Sequence, residues 1–227
     1  TAGFGDITIR GFETVDPRVI RSYVYLEPGD PYSPRALADT RKSVLQIEAL
    51  SSVRIREAEA LDPFGNLPIF LDVTERKPNV VGFSASFSTV DGPLLRAYWA
   101  NRNLFGGAER LRLEGNLFYA GRNEVNRVGR DDYEWSDLGG RFTASFLKPA
   151  LAGTRWDLLA DGVVSRETTD GYTSRLANLT LGLRYRWSDK ISAQIGLEGE
   201  IGQASDAISA LDYRLLGIPA SVRIDTT

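Results

Sequence analysis

The feature that most constrains the fold is a strict alternation of polar and apolar residues that begins near Val80 and continues almost to the end of the chain. In one segment Leu179, Leu181 and Leu183 alternate with polar residues. An alternation of this kind produces a β-strand with one apolar face and one polar face. We count about eight such segments of roughly ten residues each, the length that a tilted strand needs to cross a bilayer. The pattern therefore predicts an antiparallel sheet of about eight strands.

Two kinds of antiparallel sheet carry this pattern, a soluble sheet with one wetted face and a membrane barrel. Three observations favour the barrel: the alternation persists through every segment, aromatic residues lie near segment ends, and short connections alternate with long ones. The aromatic residues are Trp99, Trp156, Tyr185 and Trp187, the short connections are 102–109, 148–155 and 187–190, and the long ones are 120–137, 165–174 and 202–214. Aromatic girdles, short periplasmic turns and longer outer loops are typical of outer-membrane barrels. We therefore interpret residues 77–227 as part of a transmembrane β-barrel.

Residues 1–76 follow a different pattern, in which strand-like and helix-like periods are mixed. Residues 4–10 alternate as a short strand, and so do residues 53–58 and 67–73. Asp16-Pro17 and Ser33-Pro34 are helix-start signals, because a capping side chain precedes a proline whose missing N–H costs nothing at the first helical position. The order strand, helix, helix, strand, strand predicts an α+β unit with both helices on one face of a three-stranded sheet.

The charged residues of the later strands resemble a catalytic cluster only at first sight. Their spacing of two places them on polar faces, where we expect them to line the barrel lumen and to neutralise one another across strands. These residues are Arg110, Arg112, Glu114, Arg184, Arg186, Glu198 and Glu200. A second cluster, Asp131, Asp132, Glu134 and Asp137, has no EF-hand spacing and is expected to be a solvated loop.

The composition argues against several classes of function. The chain has no Cys and no His, so thiol chemistry, zinc–thiolate sites and the commonest general base are missing. The net charge is −3 and no basic region is present, so nucleic-acid binding is not expected. Gly106-Gly107 lacks the Lys-Ser/Thr of a phosphate loop and is expected to be a turn. We expect no enzyme, no metal and no cofactor. We also expect any signal peptide to lie upstream of Thr1.

Two stretches resemble known families. GFETVDPRVIRSYVYLEPGDPYSP together with a closing LDVTER resembles a POTRA domain, a periplasmic module that precedes outer-membrane assembly barrels. ERKP followed by VVGFSASFSTVDGPLLRAYWANRNLFGGAERLRL resembles the TamA branch of the BamA/TamA outer-membrane assembly superfamily. The resemblance implies one POTRA domain of order β-α-α-β-β in residues 1–76. It also implies the first half of a family barrel, about eight strands, in residues 77–227.

The resemblance also implies a function and its residues. Family members are outer-membrane insertases that assist the folding of autotransporter-type and other β-barrel proteins through a lateral seam at the first barrel strand. That strand is expected at Val80, Val81, Gly82, Phe83, Ser84, Ala85, Ser86, Phe87 and Ser88, where small residues weaken strand packing. A hinge is expected at Arg76, Lys77 and Pro78, and a POTRA edge for strand pairing at Val53, Arg54, Ile55 and Arg56. The implied partners are the lipid bilayer, substrate β-barrel or autotransporter proteins and a periplasm-spanning TamB-like protein.

Two other functions fit the same sequence. One is a two-partner-secretion transporter that exports a protein through its pore. The other is a passive outer-membrane barrel with a periplasmic anchor domain. All three place the barrel in the outer membrane and the first module in the periplasm, and they differ in what passes through or along the barrel wall.

Overall fold

The computed structural model describes residues 3–88, 92–119, 138–168, 172–206 and 209–226. These residues form a three-stranded sheet, which we call the sheet of the first module, and a nine-stranded sheet that begins at Asn79. The boundary predicted at residue 76 falls between the two sheets, since the last strand of the first ends at Glu75. Within the described ranges there is no helix with the length and apolar character to cross a membrane.

The elements of the first module follow one another as strand, helix, helix, strand, strand. They are β1 (Phe4–Arg10), α1 (Pro17–Ser22), α2 (Pro34–Val44), β2 (Leu50–Glu57) and β3 (Leu67–Glu75). The central strand is β3, which pairs in parallel with β1 and antiparallel with β2. Both helices begin at the predicted prolines. The Asp16 side chain accepts the Arg18 N–H at 2.8 Å, whereas Ser33 makes no such capping bond.

The core of the first module lies between the helices and one face of its sheet. Val19 and Ile20 of α1 and Val44 of α2 are buried against Ile69 and Leu71 of β3. The alternation of β3 explains this arrangement, because Ile69, Leu71 and Val73 share one face of the strand and are all buried. Burial of such side chains is the main stabilising contribution that a domain of this size has.

The second sheet contains the strands predicted from the alternation. They are β4 (Asn79–Ser88), β5 (Gly92–Asn101), β6 (Arg110–Tyr119), β7 (Leu138–Lys148), β8 (Trp156–Thr168), β9 (Tyr172–Arg186), β10 (Ile191–Asp206), β11 (Ala210–Gly217) and β12 (Ala220–Ile224). Each strand from β4 to β10 pairs antiparallel with the next along the chain. The sheet is open, and within the described residues its two edges are β4 and the pair β11–β12.

Strands β11 and β12 are two halves of one continuous strand. Both pair with β10, which matches Glu198 with Gly217 and Ile195 with Ala220, so the register runs unbroken through Ile218 and Pro219. Pro219 has no N–H to give to the ladder, although its carbonyl still accepts the Gly196 N–H at 2.9 Å. The nine strands therefore occupy eight positions across the sheet, in agreement with the predicted number of about eight.

The sheet has one apolar face and one polar face. The apolar face is exposed and includes Val81, Phe83, Phe87, Leu117, Phe142, Val164, Leu179, Leu181, Leu197 and Ile201. The polar face includes Arg96, Arg112, Glu114, Asn178, Arg184, Glu198 and Glu200. A cavity of about 1140 Å³ is lined by every strand from β6 to β11, which requires the sheet to curve. The overall architecture is that of a half barrel.

The short connections lie at the end of the sheet next to the first module. They are residues 102–109, residues 149–155 with a short 3-10 helix at Leu151–Gly153, and residues 187–190. The connections at the opposite end are partly outside the described residues. The acidic cluster of Asp131, Asp132, Glu134 and Asp137 lies outside the described residues, so its predicted solvated state stays a prediction.

Candidate functional site

The predicted seam strand forms an edge of the nine-stranded sheet. Strand β4 pairs only with β5 in the described residues, and Ser84 lies opposite Arg96 in that ladder. On its apolar side Val81, Phe83 and Phe87 are 77%, 73% and 75% exposed. An unpaired strand edge presents backbone N–H and C=O groups that a further strand can pair with. Beside these groups the edge displays a nearly continuous apolar surface.

Gly82, which we expected to weaken the seam strand, has a specific packing role. A Cβ atom at this position would lie 2.2 Å from Cε1 of Tyr98, the residue opposite it in the ladder. The Tyr98 ring therefore covers the bare backbone of Gly82, and the Arg112 guanidinium stacks on that ring at 4.0 Å. Ring coverage compensates for the side chain that glycine lacks. At this position the strand is well packed.

The predicted neutralisation on the polar face is correct only in part. Arg112 pairs with Glu114 at 2.7 Å, and Arg96 approaches the same carboxylate at 3.4 Å. Glu198 and Glu200 instead accept hydrogen bonds from the Asn178 amide at 2.6 and 3.1 Å. The register is the reason. Strand β9 places Thr180 and Asn178 opposite these two glutamates and keeps Arg184 and Arg186 near the other end.

Those two arginines share one buried carboxylate on the neighbouring strand. Asp157 of β8 lies opposite Arg184, accepts from its Nε at 3.0 Å, and is fully buried. Arg186 donates from its own Nε to both oxygens of Asp157 at 3.2 and 3.0 Å. The Asp157 carboxylate also accepts the backbone N–H of Ala150 at 3.0 Å. The Asp157 carboxylate is therefore the shared hydrogen-bond acceptor of two guanidinium groups and of the turn that contains Ala150.

Arg186 also reaches into the first module. Its Nη2 donates to the Ser22 hydroxyl at 3.1 Å, and its Nη1 donates to the Tyr25 hydroxyl at 3.2 Å. The guanidinium carbon lies 3.7 Å from the centre of the Tyr23 ring. Arg110, another residue expected on the lumen wall, likewise pairs with Glu48 of the first module. Both arginines join the two parts of the chain.

A second group of contacts fixes the first module to the turn at residues 102–109. Glu75 accepts the backbone N–H groups of Glu13, Thr14 and Val15, each at 2.8 Å. Burial by itself raises the pKa of Glu75, but the hydrogen bonds from the Thr14 hydroxyl and from these N–H groups outweigh it and hold the pKa below its ordinary value. The Thr14 hydroxyl in turn accepts from the Asn103 amide at 2.9 Å.

The same turn is held together by the buried side chain of Glu109. Its Oε2 accepts the N–H groups of Phe105 and Gly107 at 3.1 and 2.9 Å, and its Oε1 accepts from the Lys148 ammonium at 3.0 Å. These bonds explain why Gly106-Gly107 is a turn, as predicted. The Gly106 carbonyl accepts the Asp16 N–H at 2.8 Å and so connects the turn with the start of α1.

Apolar contacts complete the junction. Ala108 and Ala150, from two different turns of the sheet, are buried in the same core cluster as Val15 and Val19 of the first module. Both alanines have a positive φ, 54° and 51°. This conformation is unfavourable for a residue with a Cβ, and the surrounding contacts have to stabilise it. The first module and the nine-stranded sheet thus share one hydrophobic core.

The predicted hinge is the short linker between the two sheets. The Arg76 N–H donates to the Ala49 carbonyl at 2.7 Å, and the Pro78 carbonyl accepts the Arg102 N–H at 2.9 Å. Lys77 lies between these two anchored positions. The role of Arg76, Lys77 and Pro78 as a hinge stays a prediction.

The predicted pairing edge of the first module is strand β2, which forms the outer edge of its sheet. Val53 is buried, Arg54 is exposed and Ile55 is half-buried, while Arg56 pairs with Asp72 at 2.6 Å. The Val53 carbonyl already accepts a hydrogen bond from Nε of Arg41 at 3.0 Å. The edge is accessible, but an incoming strand would compete with Arg41 for one acceptor.

Sequence reasoning missed Asp157, Glu109 and Glu75. Each is a carboxylate that accepts several hydrogen bonds, and two of them are fully buried. The sequence signal that could have indicated these three residues is a carboxylate at the start or end of an alternating segment. It does not distinguish a buried residue from a solvated one, because the partners are distant in sequence.

A scan against protein-family models and a search of curated proteins both gave no match. A search of solved structures found similar folds at low sequence identity. BamA from Haemophilus ducreyi lacking POTRA domains 1–3 superposes with a TM-score of 0.60 at 12% identity, over 97% of this chain and 43% of that one. CdiB from Acinetobacter baumannii gives 0.64 at 14%, over 97% and 42%. CdiB from Escherichia coli gives 0.62 at 15%, over 97% and 41%. This chain therefore has the fold of BamA and CdiB over less than half of their length.

Proposed function

We propose that this chain is part of an outer-membrane insertase that assists the folding of β-barrel proteins through the open edge of β4. In this proposal the nine-stranded sheet is half of a barrel, its apolar face lies in the outer membrane, and the first module is a POTRA domain in the periplasm. The chemistry is backbone pairing and needs no catalytic residue or cofactor. The similarity of the fold to BamA and CdiB supports an outer-membrane assembly or transport role.

The observation that carries the proposal is the combination of features on β4. No strand pairs with its outer side among the described residues, and its exposed Val81, Phe83 and Phe87 continue the apolar face to that edge. In hydrocarbon every backbone N–H and C=O needs a partner. A substrate strand that pairs with β4 would satisfy these groups and remain in contact with lipid while it does so.

Disulfide trapping tests this proposal directly, since the chain has no cysteine of its own. We would place single cysteines at Ser84 and Ser86 of β4 and one cysteine in the terminal strand of an autotransporter-type substrate barrel. We expect crosslinks during assembly of the substrate in the membrane. The matched control is Thr180→Cys, in a strand that is paired on both sides. Crosslinks at Thr180 as frequent as those at Ser84 would contradict the proposal.

A protein-export pore is the second candidate, because polar residues are among those that line the cavity formed by the curved sheet. Asn116, Arg141, Ser165 and Tyr213 are among its lining residues. Liposomes that contain the full-length protein separate the two functions. An insertase accelerates the folding of an added barrel substrate, whereas a pore conducts ions or exports a protein without that acceleration. A passive barrel would do neither.

The partners are part of the same proposal. We expect strand β2 of the first module to receive an extended segment of a periplasm-spanning TamB-like protein, as its edge position allows. Pairing of this kind relies on backbone groups and makes few demands on side chains. The test is a titration of the protein with a peptide from the partner. Binding to the first module is detected as changes in the backbone amide signals of Val53, Arg54, Ile55 and Arg56.

A further inference from the structure

A cleft between the first module and the nine-stranded sheet has no part in the insertase mechanism. Its volume is about 440 Å³. One wall comes from α1 and the segment that follows it, and the other comes from the turn before β8 and the end of β9. The lining residues are Arg21, Ser22, Val24, Leu26, Glu27, Gly153, Thr154, Arg155 and Tyr185.

Two guanidinium groups with unused donors face this cleft from opposite walls. Arg21 is exposed, and within the described residues its side chain has no hydrogen-bond or ion-pair partner. Arg155 donates one hydrogen bond, from Nη1 to the Trp187 carbonyl at 3.3 Å, and its guanidinium lies 4.7 Å from the centre of the Tyr25 ring. A guanidinium has five N–H donors, so most of those on Arg155 have no partner in the described part of the chain and can bind an anion.

The cleft continues into a cluster of aromatic rings on the apolar face. The ring centre of Tyr185, which lines the cleft, lies 4.8 Å from that of Trp156 and 5.0 Å from that of Trp187. Trp156 and Trp187 are 43% and 52% exposed. Tryptophan and tyrosine are enriched at the depth of lipid head groups, where one side of the ring contacts acyl chains. A polar cleft and an apolar surface therefore meet at Tyr185.

We infer that this cleft binds the head group of a phospholipid. The phosphate lies between Arg21 and Arg155, and the acyl chains lie on Trp156, Tyr185 and Trp187. The inference rests on the proposed function in one respect, namely that the apolar face is in the bilayer. Two arginines and Glu27 leave one excess positive charge in the cleft, which matches a head group with a single phosphate. Because its walls come from both parts of the chain, a bound lipid would bridge the first module and the sheet.

Brominated lipids provide the test, because bromine on an acyl chain quenches a nearby tryptophan. The full-length protein is reconstituted in phosphatidylcholine vesicles with a minor fraction of brominated phosphatidylglycerol. The signal of Trp156 and Trp187 is obtained as the difference from a W156F/W187F variant. We expect phosphatidylglycerol to be enriched around these residues. Each arginine should raise this enrichment about fivefold. Arg21→Gln should therefore lower the enrichment about fivefold, and adding Arg155→Gln should bring the lipid composition around the tryptophans to that of the bulk vesicle.

The controls separate this inference from the proposed function. Arg35→Gln removes an exposed charge from the same module, away from the cleft, and should leave the enrichment unchanged. An unchanged enrichment in Arg21→Gln, or none in the wild type, would overturn the lipid site. Displacement by soluble glycerol phosphate at an equal concentration would also overturn it, because the acyl chains would then contribute nothing. If brominated phosphatidylcholine fails to quench either tryptophan, the membrane placement itself is wrong, and the proposed function fails with it.

Discussion

Asp157 and Arg186 form a buried ion pair in which Nε of the arginine lies 3.0 Å from Oδ2 of the aspartate, and their side chains are 0% and 5% exposed. The pair links β8 with β9, and through the Ser22 hydroxyl it also links the sheet with α1. Asp157 is the only carboxylate that pairs with Arg184 or Arg186 among the described residues. Its removal would leave two guanidinium groups without a counter-charge.

Replacing Asp157 with alanine should destabilise the protein strongly. We expect the free energy of unfolding to fall by about 3–5 kcal/mol, the usual cost of leaving a buried charge unpaired. The measurement is urea denaturation of the full-length protein in detergent micelles. Asp161→Ala is the matched control, since Asp161 lies on the same face of β8 and is partly exposed, and it should cost less than about 1 kcal/mol. Equal losses for both variants would show that the ion pair has no special role.

Tyr23 should make the stability depend on pH in the alkaline range. Burial raises the pKa of Tyr23 to about 12. The folded state therefore keeps its proton where the unfolded state loses it. The contribution is complete below the ordinary tyrosine pKa of about 10 and is lost as the pH rises through the folded pKa. Tyr23→Phe should flatten the decline in the free energy of unfolding between these values. Identical declines in both proteins would contradict the assignment.

Glu75 should contribute to stability at neutral pH and lose that contribution in acid. Its pKa is lowered in the folded state, so its stabilising effect is present above the ordinary glutamate pKa and disappears as the pH falls through the folded pKa. We expect Glu75→Gln to cost about 1–2 kcal/mol at neutral pH, since hydrogen bonds to a charged group are lost. The difference from the wild type should shrink in acid. Glu59→Gln, at an exposed position, should show neither effect.

Gly82 should resist substitution although it lies on an edge strand. Gly82→Ala would place a Cβ within 2.2 Å of the Tyr98 ring, whereas a Cβ at Gly115 meets nothing within 4 Å. The ring would have to move, and pairing of β4 with β5 would weaken. A disulfide between cysteines at Ser84 and Arg96, which are ladder partners, reports this pairing. We expect slower disulfide formation in Gly82→Ala, an unchanged rate in Gly115→Ala, and recovery when Tyr98→Ala is added to Gly82→Ala.

Arg41 should weaken the binding of an extended partner to β2. Its Nε donates to the Val53 carbonyl at 3.0 Å, on the strand that we propose as the pairing edge. Arg41→Gln would free this acceptor, and we expect the partner peptide to bind several-fold more tightly, the effect of about one hydrogen bond. Lys42→Gln removes the same charge from the neighbouring position and serves as the control. Equal affinities for both variants, measured by titration calorimetry, would exclude competition at Val53.

The sequence predicts the strands and their faces well because alternation is a local property. In the segment around Leu179, Leu181 and Leu183, the face of the strand on which each side chain lies follows from its sequence spacing to the neighbouring residues. Helix starts are equally local, and α1 and α2 begin where Pro17 and Pro34 indicate. For the same reason Phe83 and Phe87 are on the exposed apolar face of β4.

The pairing register of the strands and the contacts between the first module and the nine-stranded sheet could not be predicted in this way. Whether Arg184 meets Asp157 or Glu198 depends on the lengths of two connections, and an offset of a few residues exchanges the partners. The contacts of Arg186 with Ser22 join residues 164 positions apart, and no local pattern reports them. The aromatic cover over Gly82 also escapes a one-strand analysis, because the ring belongs to β5.

The shared core around Ala108 and Ala150 has a consequence for protein engineering. A first module moved to another sheet without the turns at residues 102–109 and 149–155 and without the end of β9 would leave Val15 and Val19 partly uncovered and Ser22 without Arg186. Such a chimera would expose apolar side chains to solvent and would tend to aggregate. Swaps between related proteins should therefore cut within strands β5 to β10, beyond the turns and beyond Arg186, so that the module, its two supporting turns and the end of β9 are inherited as one unit.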